Sequence, residues 1–250
     1  MPPKQRADLA LVEQGLAESR SRAQALIMAG QVYAGDKRID KAGDTIPDGM
    51  ALRLKTEDHP WVSRGGLKLE KGLSHFAINP SGLVCLDVGA STGGFTDVLL
   101  HHGAKKVYAV DVGYGQLARK LRDNPQVVNM ERTNARQLEL PEPINLIVCD
   151  ASFIGLETVL QTPLTFAAEG AHLIALIKPQ FEVGKGRVGK GGVVRDPLLH
   201  EEVCTRIRNW LENTGWPVLG VTESPIKGPA GNIEFLIGAQ KTGAQKKTGG

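Results

Sequence analysis

The sequence lacks the features of secreted, membrane-spanning and disulfide-stabilised proteins. Its 250 residues contain three cysteines, Cys85, Cys149 and Cys204, which are far apart and form no CxxC pair. This spacing excludes a disulfide scaffold and a zinc ribbon, and it predicts a reducing compartment. The N-terminal residues contain no apolar signal core, and the apolar runs at 83–88 and 172–177 are far shorter than the roughly 18 residues that cross a bilayer. We therefore expect a cytoplasmic protein without a membrane partner.

An excess of one charge and a metal-ligand pattern are also missing. The 30 basic and 27 acidic residues give a net charge of +3. This is weak evidence for a nucleic-acid partner, because the position of the charges rather than their sum sets the local field. The six histidines show no metal-ligand spacing, so no metal site is predicted. With 41% hydrophobic and 23% charged residues, the chain has the composition of a folded globular protein.

Residues 1–58 have the pattern of a small α/β unit. Two helices are predicted, with apolar stripes formed by Leu9, Leu11, Val12 and Leu16 in the first and by Ala23, Leu26 and Ile27 in the second. Short strands are predicted at 31–34 and 50–54, with a turn at 35–37 after the first of them. A segment of this size can fold as a separate module.

After a linker predicted at 59–66, strands and helices alternate. The predicted strands are 83–88, 106–111, 126–130, 144–149, 172–178, 218–222 and 233–238, and the predicted helices lie near 94–102, 116–123, 154–168 and 197–213. Repeated βα units of this length predict an α/β domain at 67–240 with a Rossmann-like, doubly wound and mostly parallel sheet. The Lys- and Gly-rich residues 241–250 are predicted to be a disordered tail.

A glycine-rich segment follows the first strand of the alternating region and opens a helix, reading Leu86-Asp87-Val88-Gly89-Ala90-Ser91-Thr92-Gly93-Gly94-Phe95-Thr96. Glycines at such a turn let the backbone approach a ligand in the crevice beyond the carboxyl end of the strand. The segment lacks the GxGxxG spacing of dinucleotide sites. A carboxylate at Asp87 would repel a pyrophosphate but suits a ligand that carries amine and sulfonium cations.

Two further residues extend this predicted cofactor site. Asp111 ends the second strand, where an acid can hydrogen-bond a ribose diol. Asn134 follows the third strand and is a candidate contact for an adenine edge, with a surface turn as the alternative interpretation. Together these features predict an S-adenosylmethionine site, and a nicotinamide dinucleotide site is the weaker alternative. The candidate cofactor-binding residues are Asp87, Gly89, Ala90, Ser91, Gly93, Gly94, Asp111 and Asn134.

Three polar residues stand at the ends of otherwise apolar stretches: Asp150, Lys178 and Glu234. Parallel strands bring their carboxyl ends to one edge of a sheet, so we expect Asp150 and Lys178 to meet at the cofactor crevice. Lys68 lies on the helix before the first strand, and spacing alone does not say whether it faces the crevice. A lone lysine at a strand end is more often a surface charge whose stem packs on the protein.

In their order along the chain, Lys68, Asp150, Lys178 and Glu234 resemble the K-D-K-E tetrad of FtsJ-like 2′-O-ribose RNA methyltransferases. The segments 63–65, 150–153, 177–182 and 231–234 resemble the TlyA branch of that family, also labelled haemolysin A. Members of this branch begin with an S4 RNA-binding domain, which residues 6–35 match. The resemblance covers about residues 4–240, and it departs at 59–62, where His-Pro-Trp-Val replaces the Arg-x-Trp-Val of many members.

The resemblance implies a catalytic tetrad, S-adenosylmethionine as cofactor and transfer of a methyl group to a cytidine 2′-hydroxyl of ribosomal RNA. It implies ribosomal RNA or a ribosomal subunit as the partner, and no obligatory protein partner. A lysine can act as a base only if its pKa falls, which a second cation and partial burial can cause. Lys178, with Lys68 nearby, suits that role, while Asp150 and Glu234 would orient the ammonium groups. The alternative is that Lys178 only positions the hydroxyl for in-line attack.

Basic residues in two regions are candidates for RNA contacts. The basic residues of the S4-like unit can bind phosphates of a folded RNA. Acidic residues lie between them in the sequence, so the alternative interpretation is an ordinary charged surface in contact with solvent. The second region, 184–192, has the GxxxxGK outline of a P-loop, but Gly191 replaces the Ser or Thr that would hold magnesium. A cationic loop for RNA is the favoured interpretation there, with a plain surface loop as the alternative. The candidate RNA-binding residues are Arg6, Arg20, Arg22, Lys37, Arg38, Lys185, Arg187 and Lys190.

Two other classes of function are weighed against the enzyme. A non-catalytic RNA-binding or ribosome-assembly protein would need the S4-like unit but not the tetrad. A cytolysin, suggested only by the label haemolysin, would need a membrane-inserting segment, and the sequence shows no long apolar run. Transfer of labelled methyl groups to ribosomal RNA separates the enzyme from both alternatives.

Overall fold

The computed structural model describes residues 4–28, 30–35, 37–54, 59–184 and 186–242. The chain divides into two compact units, Met1–Pro60 and Trp61–Gly250. The division falls at the start of the linker predicted at 59–66, and the last residues of that linker already belong to a helix that begins at Gly65.

The described residues of the N-terminal unit form short helices and strands around one small core. The elements are β1 (Lys4–Arg6), α1 (Ala7–Glu13), α2 (Arg20–Met28), β2 (Val32–Ala34), β3 (Lys37–Arg38), β4 (Thr45–Pro47) and β5 (Leu52–Leu54). Strand β1 pairs with β4, and β2 pairs with both β3 and β5, all antiparallel. The second predicted helical stripe is buried as expected. In α1, however, Leu9 and Val12 are 42% and 37% exposed, because the buried face of this helix is formed by Ala7, Ala10 and Leu11.

The C-terminal unit is an alternating α/β structure. Its elements are α3 (Gly65–His75), β6 (Val84–Val88), α4 (Gly94–His101), β7 (Lys106–Val110), α5 (Arg119–Arg122), β8 (Val127–Met130), β9 (Ile144–Cys149), α6 (Leu156–Val159), α7 (Gln161–Thr165), β10 (Ala167–Ile177), α8 (Pro179–Glu182), α9 (Pro197–Asn213), β11 (Val218–Glu223) and β12 (Phe235–Gln240), with short 3₁₀ turns at Ala135–Gln137, Lys190–Gly192 and Pro229–Gly231.

The strands of this unit form one sheet in the order β11-β12-β10-β9-β6-β7-β8. Strands β6, β7, β8, β9 and β10 are parallel, whereas β12 runs antiparallel between β10 and β11. The first strand of this sheet along the chain, β6, lies in its interior. Strands β7 and β8 extend the sheet on one side of β6, and β9 to β12 extend it on the other. The carboxyl ends of β6 and β9 therefore flank the switch point where ligands bind in doubly wound sheets.

Both faces of the sheet are covered, and alternate residues of each strand pack on opposite sides. Leu86, Ile147 and Leu173 belong to the core beneath α6, α7 and α9, whereas Leu146, Ile174 and Leu236 pack towards α3 and α4. Cys85 and Cys149 lie on neighbouring strands, as expected, but face opposite cores. Burial raises the pKa of each thiol to about 12, which fits a packing role.

Several predicted boundaries differ from the structure. The predicted helix at 154–168 is two short helices, α6 and α7, because Pro163 has no amide hydrogen to continue the first one. Strand β10 begins at Ala167 and reaches its regular register with β9 only at His172, after an irregularity at Gly170, whose φ is +71°. Lys241 and Thr242 were predicted to belong to a disordered tail but donate backbone hydrogen bonds to Ala171 and Gly215; residues 243–250 lie outside the described residues.

None of the helices in the described ranges is long and apolar enough to cross a membrane.

Candidate active site

Four charged side chains from four different elements meet at the carboxyl edge of the sheet. Lys68 comes from α3, Asp150 and Lys178 directly follow β9 and β10, and Glu234 directly precedes β12. Lys178 Nζ lies 2.6 Å from Asp150 Oδ1, and Lys68 Nζ lies 2.6 Å from Glu234 Oε2 and 3.7 Å from Asp150 Oδ2. Positive and negative groups thus alternate along one chain of contacts. The structure brings together all four residues of the predicted tetrad.

The tetrad is largely withdrawn from water. Lys68, Lys178 and Glu234 are 7%, 6% and 1% exposed, and each ammonium group has a carboxylate partner, as buried charges require. Lys178 Nζ also donates to the carbonyl oxygen of Asp150 at 3.0 Å and to Ser152 Oγ at 2.9 Å. Two hydrogen bonds and the ion pair with Asp150 Oδ1 thus place three oxygen atoms within 3.0 Å of Lys178 Nζ. The arrangement therefore holds Lys178 in one fixed position.

A cavity of about 430 Å³ opens onto the tetrad. Its wall contains Lys68, Asp150 and Lys178, together with backbone of the glycine-rich segment. The segment after β6 and the residues before α3 form one side of the cavity. The loop between β11 and β12 contributes a further part of the wall through Ile226, Lys227 and Gly228.

The glycine-rich segment is shaped by close backbone packing. Gly89 has a φ of +84°, and a Cβ atom there would lie 2.9 Å from the Cα of Ala151. Gly93 has a φ of +97° and stands at the N-terminus of α4, where a Cβ atom would overlap Leu121. A Cβ atom at Gly94 would overlap Ser63 Oγ. These glycines are therefore needed first for contacts with neighbouring protein segments, which fix the turn at the edge of the cavity.

A second cavity, of about 590 Å³, lies on the other side of the same turn. Asp111 and Asn134 both line it, as do Gly89 and Ser91 of the glycine-rich segment. Asp111 accepts backbone hydrogen bonds from Ser91 at 2.8 Å and from Gly113 at 2.7 Å. Asn134 Oδ1 accepts the amide of Arg136 at 3.1 Å, so this side chain also caps the following 3₁₀ turn.

The two cavities share part of their walls, namely Gly89, Ser91, Asp150 and Ser152. Of the predicted cofactor residues, Gly89 and Ser91 line both cavities, Ala90 and Gly94 line the first, and Asp111 and Asn134 line the second. An elongated ligand lying across this common wall would place one end at Asp111 and its middle beside the tetrad.

Asp87 does not lie at the cavity surface, which corrects its predicted role as a direct cofactor contact. Its side chain is fully buried below the turn, and its Oδ2 accepts a hydrogen bond of 2.7 Å from Thr96 Oγ1. Burial raises the pKa of this carboxyl to about 7, with a smaller contribution from the charge of Asp150. Asp87 lies on a strand that is covered on both faces, so its side chain points into a core rather than into the crevice.

Phe153 is a site residue that sequence reasoning did not single out. It follows Ser152 in the segment after β9, has a φ of +66° and is 90% exposed. Its ring lies 4.9 Å from the ring of Phe181, and the residue lines the second cavity. An exposed phenylalanine in a left-handed conformation is uncommon and points to a functional constraint. In the sequence, the signal that could have identified Phe153 is its position directly after Asp150-Ala151-Ser152.

The predicted RNA-binding residues of the N-terminal unit divide into paired and unpaired groups. Arg6 and Arg20 both contact the buried Asp8, each at 2.9 Å, and their hydrogen bonds hold the pKa of that carboxyl well below its usual range. Arg38 pairs with Asp40 at 2.7 Å. In the described part of this unit, Arg22 and Lys37 are exposed and form no ion pair.

The predicted cationic loop at 184–192 is partly neutralised. Arg187 forms a two-pronged ion pair with Glu202 of α9, with contacts of 2.5 and 2.6 Å, so it is tied to the protein surface. Lys190 is exposed in the 3₁₀ turn that ends the loop. Lys185 lies outside the described residues.

Residues 61–241 match the family model described as FtsJ-like methyltransferase. The chain belongs to the FtsJ-like methyltransferase family. Residues 5–52 match the S4 domain, so an S4 domain precedes the FtsJ-like domain as in the TlyA branch. A similar fold occurs in an S-adenosylmethionine-dependent methyltransferase from Listeria monocytogenes, with a TM-score of 0.55 at 16% identity and with 72% of this chain and 100% of that chain covered. This likeness confirms the predicted fold.

Relatives within the family match nearly the whole chain. A TlyA protein of Mycobacterium tuberculosis, named a 16S/23S rRNA (cytidine-2′-O)-methyltransferase, is 48% identical over 242 residues, which are 95% of this chain and 90% of that protein. The protein named Hemolysin A of Brachyspira hyodysenteriae is 41% identical over 240 residues, 92% and 98% of the two chains. A solved structure from Streptococcus thermophilus that carries the name hemolysin has a TM-score of 0.75 at 43% identity and covers 97% of this chain and 90% of that chain.

Proposed function

We propose that this FtsJ-like protein transfers a methyl group from S-adenosylmethionine to a ribose 2′-hydroxyl of ribosomal RNA, with cytidine as the target nucleoside. The observation that carries the proposal is the chain of contacts Glu234–Lys68–Asp150–Lys178 beside a cavity that shares part of its wall with a second cavity lined by Asp111. The name of the Mycobacterium tuberculosis relative supports the choice of cytidine in ribosomal RNA.

The residues along the two joined cavities fit the proposed cofactor. Asp111 offers a carboxylate for the ribose hydroxyls, and Asn134 offers an amide for the adenine edge. The turn at 89–94 would carry the methionine part across the common wall. When bound, the cofactor supplies an electrophilic methyl group on a sulfonium.

The tetrad suits the positioning of a hydroxyl more than proton abstraction by Lys178. Two hydrogen bonds and an ion pair already hold the Nζ of Lys178 against three oxygen atoms of Asp150 and Ser152. A ribose hydroxyl that takes the place of Ser152 would have its oxygen held by Lys178 for in-line attack. Asp150 and Glu234 balance the two lysines, so the pocket can hold a sulfonium nearby without adding a net positive charge from the tetrad. Methyl transfer would form an O–CH₃ bond and break the S–CH₃ bond, and the hydroxyl proton would pass to water at the mouth of the cavity.

Two further features suit a single-stranded or splayed RNA segment as substrate. The exposed ring of Phe153 lines the second cavity, which Asp150 of the tetrad also lines, and offers a surface on which a nucleobase can stack. The S4 domain match places an RNA-binding module on the same chain. Arg22, Lys37 and Lys190, which are exposed and form no ion pair among the described residues, remain the best of the predicted phosphate contacts.

Labelled methyl transfer to ribosomal subunits from cells that lack the modification tests the proposal. We expect the wild-type protein to label ribosomal RNA and to yield a 2′-O-methylated nucleoside. Lys178→Ala should abolish transfer while the Kd for S-adenosylmethionine changes by less than roughly threefold, because this lysine holds the hydroxyl rather than the cofactor. Lys105→Ala, an exposed lysine at the amino end of β7, is the matched control. Binding of ribosomal RNA without any transfer would support the non-catalytic alternative instead.

A further inference from the structure

Two exposed cations stand on the wall of the cavity that opens onto the tetrad. Arg64 stands directly before α3, and Lys227 belongs to the loop between β11 and β12; both line the cavity, and both side chains are exposed. Neither forms an ion pair with any residue that the structure describes. Other arginines of this unit are paired instead, as Arg187 is with Glu202 and Arg206 with Glu157.

The charges around the cavity leave these two cations uncompensated. Lys68 and Lys178 are balanced by Asp150 and Glu234, which contact them directly. The charged side chains that remain on the wall are Arg64 and Lys227. The cavity therefore carries two positive charges beyond the neutral tetrad, which favours a ligand with an anionic group next to the reacting hydroxyl.

The backbone on either side of the cavity holds the two cations close to the tetrad. Gly65 follows Arg64, and a Cβ atom at Gly65 would lie 3.9 Å from Asp150 Oδ2. Gly228 follows Lys227, and a Cβ atom there would overlap the carboxylate of Glu234. Each cation therefore directly precedes, in the sequence, a glycine that packs against an acidic residue of the tetrad.

The loop that carries Lys227 is anchored at both ends. The amide of Ser224 donates to the carbonyl oxygen of Glu234 at 2.9 Å, and the amide of Gly228 donates to the carbonyl oxygen of Asn232 at 2.9 Å. Ser224 Oγ also donates to the carbonyl oxygen of Ile226 at 2.8 Å. These bonds fix the backbone on which Lys227 stands, so this lysine has a defined place at the cavity mouth.

We propose that Lys227 and Arg64 form a subsite for the phosphodiester that adjoins the target ribose. The inference rests on the proposed function. In RNA the 2′-oxygen and the 3′-phosphate are carried by adjacent carbons of one ribose, so a cavity that holds the hydroxyl at Lys178 must also accommodate that phosphate. Lysine and arginine side chains are the usual partners of phosphate oxygens. Their exposure leaves room for a polymer backbone that continues into solvent.

The test compares Lys227→Ala and Lys227→Arg with Lys71→Ala, which removes an exposed lysine of α3 that does not line the cavity. For each variant we would measure the KM for ribosomal subunits, the binding of the same subunits at several salt concentrations, and the Kd for S-adenosylmethionine. Lys227→Ala should raise the KM for the subunits roughly fivefold and lower the salt slope of binding by about one. The Kd for the cofactor should not change, and Lys227→Arg should restore the wild-type values. Arg64→Ala should have the same effect on the subunits.

The possible results distinguish a failure of the phosphodiester subsite from a failure of the proposed function. If Lys227→Ala binds subunits with unchanged affinity and salt slope, the phosphodiester subsite is wrong even though transfer by the wild type is intact. If either alanine variant weakens cofactor binding instead, the anion at that residue is the cofactor's carboxylate, which also overturns the proposal. If the wild type transfers no methyl group, the proposed function fails, and the salt dependence of subunit binding still decides whether Lys227 contacts a phosphate.

Discussion

The buried carboxyl of Asp87 makes a quantitative prediction about stability and pH. Its pKa rises from an ordinary value of 3.8 to about 7, mainly because the side chain is fully buried. In the described structure its Oδ1 has no hydrogen-bond partner. From about pH 4 to pH 7 the folded protein therefore keeps a proton that the unfolded chain has released, and stability falls as the pH rises. A shift of about three units corresponds to about 4 kcal/mol once the carboxyl is ionised in both states.

The substitution Asp87→Asn should remove this dependence, because an amide does not ionise. Its NH₂ group would occupy the unpartnered position of Oδ1, which costs about 1–3 kcal/mol at every pH. The variant should therefore be about 1–3 kcal/mol more stable than the wild type at pH 8. Between pH 5 and pH 8, its stability relative to the wild type should rise by about 3 kcal/mol.

Urea unfolding followed by tryptophan fluorescence measures this difference. Trp61, Trp210 and Trp216 all belong to the unit Trp61–Gly250, so the signal reports on the unit that contains Asp87. Asp123→Asn, at a carboxylate that is 65% exposed, is the control and should show no such trend. A stability difference between Asp87→Asn and the wild type that is the same at pH 5 and pH 8 would refute the argument from burial.

Two other substitutions test contacts that hold the site together. Glu234→Ala should destabilise the C-terminal unit by about 3–5 kcal/mol in the same unfolding assay, because it leaves the buried ammonium of Lys68 without its partner at 2.6 Å. An unchanged unfolding midpoint would show that this ion pair does not stabilise the fold. Glu131→Ala should raise the KM for S-adenosylmethionine without lowering kcat at saturation. The Glu131 carboxylate accepts hydrogen bonds from the backbone amides of Gln116 and Leu117, and it thereby holds the loop that contacts the glycine-rich turn. Calorimetric titration with the cofactor checks this effect, and Glu131→Gln, which keeps an acceptor, should bind nearly as the wild type does.

The rule that parallel strands share one carboxyl edge was enough to bring Asp150 and Lys178 together from sequence. Lys68 and Glu234 could be assigned only through the family resemblance, because neither follows a parallel strand. Lys68 reaches the site because α3 packs across the sheet, where Gly72 lies against Ile174 and Leu236. Contacts between residues so far apart in the chain leave no periodic signal.

Burial and charge pairing were the features that sequence reasoning could not supply. Asp87 has the right position for a ligand contact, but its side chain lies on a strand covered on both faces. Arg6 and Arg20 resemble free phosphate-binding groups until the structure shows Asp8 between them. In each case the decisive neighbour is set by packing in three dimensions.

The position of the antiparallel strand β12 has a consequence for the folding of this enzyme during its synthesis. It lies between β10 and β11 in the sheet, although it is the last of the described strands to be synthesised. Until it inserts, both neighbours present open hydrogen-bonding edges, which are prone to incorrect pairing. Glu234 also reaches Lys68 only once β12 is seated. A growing chain therefore has no complete tetrad before β12 has been synthesised and has paired with β10 and β11.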